Sequence, residues 1–231
     1  MLVMTLASTA QESTLLRLNY NKGDKYIMTM DMTQDMSVMV MKMKMDMSIE
    51  ILEVVDDIYK TEMQIKKISM DMNGMSYDSD KGDEELDVMG KQMKAQFDPM
   101  LEMLITSKTN NLGEVLEMKI EPDIAGANQF TNQSGSVIYP EHAVKVGDTW
   151  DFEKDSEGMK MSFIYTVRSI EKDRVFLDVS GEISSLAEGT INGNIEIDRE
   201  KGIPLKSSIV MDMTVSGQNI KSSIILIMKK L

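Results

Sequence analysis

Residues 27–51 read Ile-Met-Thr-Met-Asp-Met-Thr-Gln-Asp-Met-Ser-Val-Met-Val-Met-Lys-Met-Lys-Met-Asp-Met-Ser-Ile-Glu-Ile, with methionine at every second position over long runs. The residues between the methionines are mostly Thr, Asp, Ser and Lys. A period of two is typical of a β-strand with one apolar and one solvated face, whereas a helix would spread these methionines around its whole surface. The stretch therefore predicts extended structure with methionine on one face.

The phase of the alternation changes once inside this stretch. Methionines are even-numbered up to Met32 and odd-numbered from Met39 onward. A turn at 34–37 explains the change, because antiparallel pairing across it sets methionine opposite methionine on one face. The predicted pairs are Met32 with Met39, Met30 with Met41, and Met28 with Met43. The alternative is one long strand with a bulge near Gln34, but it would far exceed the usual length of about 5–6 residues.

The apolar face is predicted to continue into a third strand and to be covered by a helix. Residues 59–72 alternate again, with a bulge at Lys66-Lys67. The expected pairs are Ile65 with Ile49, Ile68 with Met47, Met70 with Met45, and Met72 with Met43. Apolar residues then recur every three to four positions from Leu86 to Phe97, which predicts a helix from about 84 to 96. Asp98-Pro99 is expected to begin another helical turn.

The second half of the chain repeats the order of strands and turns of the first. The stretch 22–26, Lys-Gly-Asp-Lys-Tyr, reappears at 146–150 as Val-Gly-Asp-Thr-Trp, and alternating strands follow both. The fold class expected is mainly β, with two related antiparallel meanders forming a curved sheet or open barrel. One helical segment, about 84–104, packs on the apolar face.

The expected organisation is one continuous domain, because either meander alone would leave its apolar face uncovered. Residues 11–120 would form the first meander with the helix, beginning with a short strand at 15–18. Residues 121–140 would form a crossing segment, and residues 141–231 the second meander.

Composition excludes several classes of function. Hydrophobic residues make up 42% of the chain and aromatics only 5%, so the 25 methionines must fill much of the core. The net charge of −13 argues against nucleic acid and anionic membrane surfaces as partners. No apolar run approaches the roughly 20 residues of a membrane-spanning helix. With no cysteine, disulfides and thiolate chemistry are excluded.

The N-terminus predicts export to the periplasm or cell envelope. Residues 1–7 are short and apolar, and Ser8-Thr9-Ala10 places small residues where a signal peptidase reads. Residues 1–10 are therefore interpreted as the remnant of a signal peptide whose start lies upstream. The alternative is an ordinary N-terminal strand.

The sequence offers little for catalysis or cofactors. His142 is the only histidine, and no nucleophile context accompanies it, so a loop residue outside any catalytic triad is expected. No glycine-rich phosphate loop is present. The loop 78–83 begins like a calcium loop, but Lys81 and the missing twelfth-position glutamate weaken that interpretation. We therefore expect a protein that is not an enzyme and has no cofactor and no metal.

Three stretches together resemble a known family. Residues 23–32, 69–80 and 144–150 are similar to an uncharacterised family of exported proteins common in Bacteroidetes, a domain of unknown function. The resemblance covers most of the chain after Leu15. It implies export and a mostly β fold, and it carries over no catalytic residues. The layout of a large curved sheet with a helix also resembles periplasmic lipoprotein carriers, on architecture alone.

The functional hypothesis rests on the methionine face. A curved sheet lined with methionine would make a deformable apolar site for a small molecule or an envelope protein. The candidate ligand-lining residues are Met28, Met30, Met32, Met39, Met41, Met43, Met45, Met47, Met70 and Met72. One alternative is soft-metal binding, Cu(I) or Ag(I), through methionine sulfur. The other is a structural or interaction domain whose methionine face is simply a filled core.

Overall fold

A computed structural model describes residues 12–122, 137–156 and 158–231. Within them the chain forms strands almost throughout, with one α-helix, α1 (Val88–Leu101), preceded by a short 3-10 helix (Asp83–Glu85). The strands are β1 (Ser13–Thr14), β2 (Lys25–Asp35), β3 (Val40–Val55), β4 (Ile58–Met72), β5 (Met75–Asp78), β6 (Leu104–Asn110), β7 (Val115–Glu121), β8 (Val144–Lys145), β9 (Thr149–Ser156), β10 (Met159–Ile170), β11 (Arg174–Ser185), β12 (Ala187–Asp198), β13 (Pro204–Val215) and β14 (Gln218–Lys230).

One antiparallel sheet of 12 strands dominates the described residues, in the order β7-β6-β4-β3-β2-β14-β13-β12-β11-β10-β9, with β5 paired to β4. The first meander, β2–β7, joins the second, β9–β14, where β14 pairs with β2. The edges are β7 and β9, so the sheet stays open. The predicted mainly-β fold, with meanders in a curved sheet and a helix on the apolar face, is confirmed.

The methionine hairpin forms, but its predicted register is wrong. Met32 lies opposite Met43 rather than Met39, and Met30 and Met28 lie opposite Met45 and Met47. The turn falls at residues 36–39, where Met36 N–H donates to the Met39 carbonyl (2.9 Å) and Ser37 has φ of 69°. Because the displacement is an even number of residues, methionine still faces methionine on the same side of the sheet.

The predicted bulge at Lys66-Lys67 is present, and the pairing beyond it is again displaced by two residues. Met70 lies opposite Met43 rather than Met45, and Ile65 opposite Met47 rather than Ile49. A second irregularity near Leu52, which the alternation does not reveal, contributes to this displacement.

The helix begins and ends later than the predicted 84–96, and residues 83–85 form the separate 3-10 helix. Helix α1 begins after Asp87, whose carboxylate accepts the Gly90 N–H at 2.7 Å, and runs through Pro99 to Leu101. Asp98 therefore caps no new turn. Its carboxylate accepts a hydrogen bond from the Tyr77 hydroxyl at 2.6 Å, which ties α1 to β5.

Residues 15–18 form no strand, contrary to the prediction, because they cross between two distant turns instead of lying along a strand edge. Leu18 N–H donates to Asn111 O at 2.8 Å, and Asn19 N–H donates to Lys201 O at 2.9 Å. The β6–β7 turn and the β12–β13 turn thus lie close together, although several strands separate them in the sheet. The sheet must curve strongly to allow this.

The two Gly-Asp turns have the same hydrogen bonds. Gly23 N–H donates to Ile51 O on β3 and Gly147 N–H donates to Val167 O on β10, both at 2.8 Å, and both glycines have positive φ. In each turn the Asp side chain accepts a backbone N–H three residues earlier, at 3.1 Å for Asp24 and 3.0 Å for Asp148. The repeated sequence therefore encodes the same start to both meanders.

Asp24 has further partners that Asp148 lacks among the described residues. Its carboxylate receives Lys230 Nζ at 2.5 Å and the Tyr26 hydroxyl at 3.2 Å. Burial alone would raise the pKa of Asp24, but the hydrogen bonds from Lys230, Asn21 and Tyr26 lower the pKa overall. This ion pair joins β14 to the start of β2.

Glycine permits close strand approach in the second meander. A Cβ at Gly193 would lie 2.3 Å from the Ser208 carbonyl oxygen, and one at Gly181 would lie 2.0 Å from that of Ser162. Real Cβ atoms do not come so close to a carbonyl oxygen, so a larger residue at either position would force the adjacent strand to shift.

Two expected segments lie outside the described residues. These are the signal-peptide remnant, 1–10, and residues 123–136 of the expected crossing segment, 121–140. In the described part of the chain, no helix has the length and apolar character needed to cross a membrane.

Candidate ligand-binding cavity

Most of the candidate methionines lie in a filled core under α1. Six of the ten are at most 5% exposed and pack in one cluster with Ile68 and Leu226. These six are Met30, Met32, Met43, Met45, Met47 and Met70. Met28, Met41 and Met72 pack at the margin of this cluster, and Met39 is half-buried in the hairpin turn.

Helix α1 supplies the other side of this core. Met93, Phe97 and Met100 project from it into the methionine cluster, and Met103 follows just after the helix with no exposed surface. The Tyr77 and Phe97 rings stack with centroids 5.9 Å apart. In the described residues, the methionine face beneath α1 is therefore packed against protein side chains.

An apolar cavity of about 170 Å³ lies beyond the end of the helix. Seven neighbouring strands, from β7 to β13 in sheet order, contribute to it, which requires the sheet to curve around the cavity. Its apolar lining from the sheet comprises Met28, Ile49, Met63, Ile105, Val115, Met118, Pro204, Leu226 and Met228. Of the ten predicted residues, only Met28 reaches it.

The edge strand β7 contributes the most exposed residues of the cavity lining. Val115 and Met118 line the cavity and are also 43% and 40% exposed, whereas Ile105 on the neighbouring strand is buried. The volume exceeds the ~150 Å³ of an engineered apolar cavity that binds benzene, and it is smaller than the ~300–1,000 Å³ pockets of drug-sized ligands. It suits about six to eight heavy atoms of a ligand.

Two chain segments close the opposite side of the cavity. Leu18 and Tyr20 come from the N-terminal crossing segment, and Val137 precedes Tyr139. Tyr139 N–H donates to Leu112 O at 2.8 Å, and its hydroxyl donates to Gly202 O at 2.6 Å. These bonds fix the Tyr139 segment to the same two turns that hold the segment around Leu18.

The polar side chains among the described lining residues are all hydroxyls. They belong to Tyr20, Thr61, Ser107, Thr109 and Ser207. The Thr61 and Ser107 hydroxyl oxygens are 2.8 Å apart and share a hydrogen bond. Burial, with contributions from Tyr59 and Asp24, raises the pKa of the Tyr20 phenol well above its ordinary value, so this group is uncharged at neutral pH.

The residues weighed for other chemistry are not assembled into a site. His142 is exposed and lies outside the helices and strands. Lys67 pairs with Asp80 and with Asp78 (3.3 Å), so a lysine occupies the loop that begins like a calcium loop. Across the described ranges, no group of three or more His, Cys, Asp or Glu side chains is arranged to hold a metal.

The cavity itself was not predicted from the sequence. Its lining comes from strand positions outside the long methionine run and from two crossing segments whose course no periodicity indicates. The one available signal is the methionines outside that run, Met63, Met118 and Met228.

Together the fold and the cavity define an open, strongly curved antiparallel sheet with a small apolar interior. A model of a family of unknown function, DUF6263, matches residues 126–204, less than half of the chain, so the resemblance to an uncharacterised domain family is confirmed for this region. No curated protein sequence matches the chain.

Solved structures give a likeness of fold. The structure described as "Lipid-protein interactions in lipovitellin" is similar at a TM-score of 0.59 and 12% identity, over 91% of this chain and 25% of that one. This chain thus spans about a quarter of that protein's length. A domain from Vibrio parahaemolyticus, described as an outer membrane lipoprotein-sorting protein domain, matches with 10% identity over 89% and 85% of the two chains. Its TM-score is 0.27, below the level at which two folds are alike.

Proposed function

We propose that the protein is an exported, non-enzymatic binder of a small apolar molecule, held in the cavity beside β7. The observation that carries the proposal is an apolar space of about 170 Å³ whose lining includes the exposed residues Val115 and Met118. The six buried methionines that were also candidates serve as core in this proposal. Met28, Met63, Met118 and Met228 would adapt the lining to the ligand, because methionine re-packs at low cost.

The expected affinity is modest. Six carbons leaving water contribute about 5 kcal/mol at ~0.8 kcal/mol per methylene, which corresponds to a Kd between roughly 0.1 and 1 mM. A longer acyl chain could extend past the rim at β7 and bury further carbons against Met118. A lipid or acyl chain is therefore the ligand class we favour. The similarity of fold to lipovitellin, described with lipid–protein interactions, is compatible with this class.

Export is part of the same proposal. It rests on the apolar residues 1–7 and the small residues at 8–10. Fractionation of the host with N-terminal mass analysis tests it. A mature chain that begins at Gln11 in the envelope fraction is expected, and a cytoplasmic chain retaining residues 1–10 would contradict it.

Cavity-filling variants test the binding site. Native mass spectrometry of protein purified gently from its host should reveal a carried apolar molecule. Ser107→Phe fills the cavity, so the mass peak of the complex with the apolar molecule should disappear. Thr106→Phe is the matched control, because the adjacent residue on β6 faces the other side of the sheet. Thr106→Phe should retain the ligand.

A negative result is also informative. If the wild-type protein carries nothing and added n-hexane shifts no methionine methyl signal at the cavity, the molecule is a structural or interaction domain. Equal loss of ligand in both variants would place binding outside the cavity.

A further inference from the structure

Among the described residues that line the cavity, none has a charged side chain that could pair with a charged ligand. Their polar side chains are all hydroxyls, and the other lining side chains are apolar. A carboxylate or ammonium group entering this space would lose its hydration without a counter-charge, which costs several kcal/mol. An uncharged ligand avoids this cost.

The half-buried Tyr20 differs from the three buried tyrosines around it. The hydroxyls of Tyr26, Tyr59 and Tyr139 donate to Asp24, Leu18 O and Gly202 O. The Tyr20 ring packs edge-on against Tyr59 (5.3 Å) and Tyr26 (5.7 Å), but its hydroxyl donates to no described residue.

The open space that Tyr20 borders is the cavity. No fully enclosed side-chain polar atom in the described ranges lacks a partner, so the Tyr20 hydroxyl keeps accessible surface although protein surrounds the phenol. A hydroxyl that borders the cavity and has no described protein partner is available to donate to an acceptor on a bound ligand.

The charges nearby set the type of acceptor. Asp24 raises the pKa of the Tyr20 phenol, and its carboxylate is paired with Lys230 at 2.5 Å, so this ion pair offers no free cation to an anionic ligand group. The net charge of −13 disfavours anionic ligands at longer range. The neutral phenol remains a hydrogen-bond donor across the physiological pH range.

We infer that the cavity selects an uncharged apolar ligand bearing a hydrogen-bond acceptor, such as a ketone or ester carbonyl, and that the Tyr20 hydroxyl donates to it. This inference rests on the apolar-ligand function proposed above. It excludes free fatty-acid anions and cationic amphiphiles as the preferred ligands, and it makes Tyr20 a specificity-determining residue.

Four six-carbon probes test the inference, namely n-hexane, 2-hexanone, hexanoate and hexylamine. Binding is followed at pH 7 through the ¹³C-labelled methionine methyl signals. Met28, Met63, Met118 and Met228 report on the cavity, and Met45 under α1 reports on the core. Hexane and 2-hexanone should shift the cavity signals, and the two charged probes should bind more weakly than 2-hexanone.

The variant Tyr20→Phe removes the hydroxyl and keeps the ring. It should weaken the binding of 2-hexanone about three- to tenfold, which corresponds to the loss of one hydrogen bond, and leave the affinity for hexane unchanged. Tyr26→Phe is the matched control, because that hydroxyl already donates to Asp24 and does not line the cavity. It should leave both affinities as in the wild type.

The outcomes separate the two proposals. If no probe shifts the cavity signals, the proposed function fails. If hexane binds but hexanoate binds as tightly as 2-hexanone, or Tyr20→Phe weakens both neutral probes equally, the function stands and this inference is overturned. The infrared carbonyl band of wild-type-bound 2-hexanone gives a reading independent of any variant. The band should move to lower frequency, and a band at its alkane-solvent position would overturn the inference.

Discussion

Truncation of a methionine under α1 should be far more destabilising than truncation of one at the cavity rim. Met45 is 2% exposed and lies between Met30 and Ile68 on the neighbouring strands. Met118 lines the cavity and is 40% exposed. The two residues are chemically identical, so the comparison isolates their surroundings.

The expected loss of unfolding free energy follows from the number of buried atoms that each substitution removes. Met45→Ala removes three buried heavy atoms, which costs about 2.4 kcal/mol at ~0.8 kcal/mol for each methylene equivalent. The space left behind adds to this, and buried Met→Ala substitutions cost roughly 2–5 kcal/mol in total. Met118→Ala removes atoms that already contact solvent or the cavity, so a loss below about 1 kcal/mol is expected.

Urea unfolding followed by circular dichroism measures both values. The wild type and the two variants should show similar slopes, so that the midpoint reports stability directly. A loss below about 1 kcal/mol for Met45→Ala, or equal losses for the two variants, would refute the assignment of the methionine face under α1 as packed core.

Three further predictions concern the fold. Asp24→Asn should cost about 1–3 kcal/mol more at pH 7 than Asp148→Asn, because only Asp24 has the ion pair with β14. The pKa of Asp24 is lowered in the folded state, so this stability is present above about pH 4 and is lost as pH falls through the folded-state pKa. If the difference in unfolding free energy between the two variants stays constant down to pH 2, the Asp24–Lys230 ion pair is not its cause. Gly193→Ala should lower the unfolding midpoint by the equivalent of about 2 kcal/mol, while Gly82→Ala, with open space around its Cβ, should be neutral; equal midpoints would refute the close approach at Gly193. Tyr77→Phe should cost about 1–2 kcal/mol and speed amide hydrogen exchange within α1, and unchanged exchange would show that its hydroxyl does not hold the helix.

Alternation was sufficient to predict the class of fold because it reports burial directly. The methionine run indicated strands with one apolar face, and the spacing from Leu86 to Phe97 indicated the helix that covers them. Register was harder to predict, since any even displacement keeps methionine opposite methionine. The observed turn depends on Ser37 adopting a positive φ, which Asp35 supports by accepting the Ser37 N–H at 2.9 Å.

The candidate site was harder to predict than the fold for a different physical reason. A methionine in a packed core and a methionine lining a cavity have the same neighbours along a strand. They differ only in what lies above the sheet, and that depends on the lengths of the covering segments. The run at 39–47 faces α1, so its periodicity carried no information about open space.

We attribute the cavity to the limited length of the segments that pack on the apolar face of the curved sheet. Helix α1 and the two crossing segments do not meet over this face. Helix α1 ends at Leu101 and the chain enters β6 at Leu104, so the helix covers the apolar face only on one side of Met28. The crossing residues near Leu18 and Tyr139 fill the face on the other side, where their hydrogen bonds fix them to the turns. Lengthening α1 would close the gap, and removing the crossing segments would open the sheet. The position of such a binding site therefore depends on the lengths of the helix and the crossing segments. The residues that line it need only be apolar and able to re-pack.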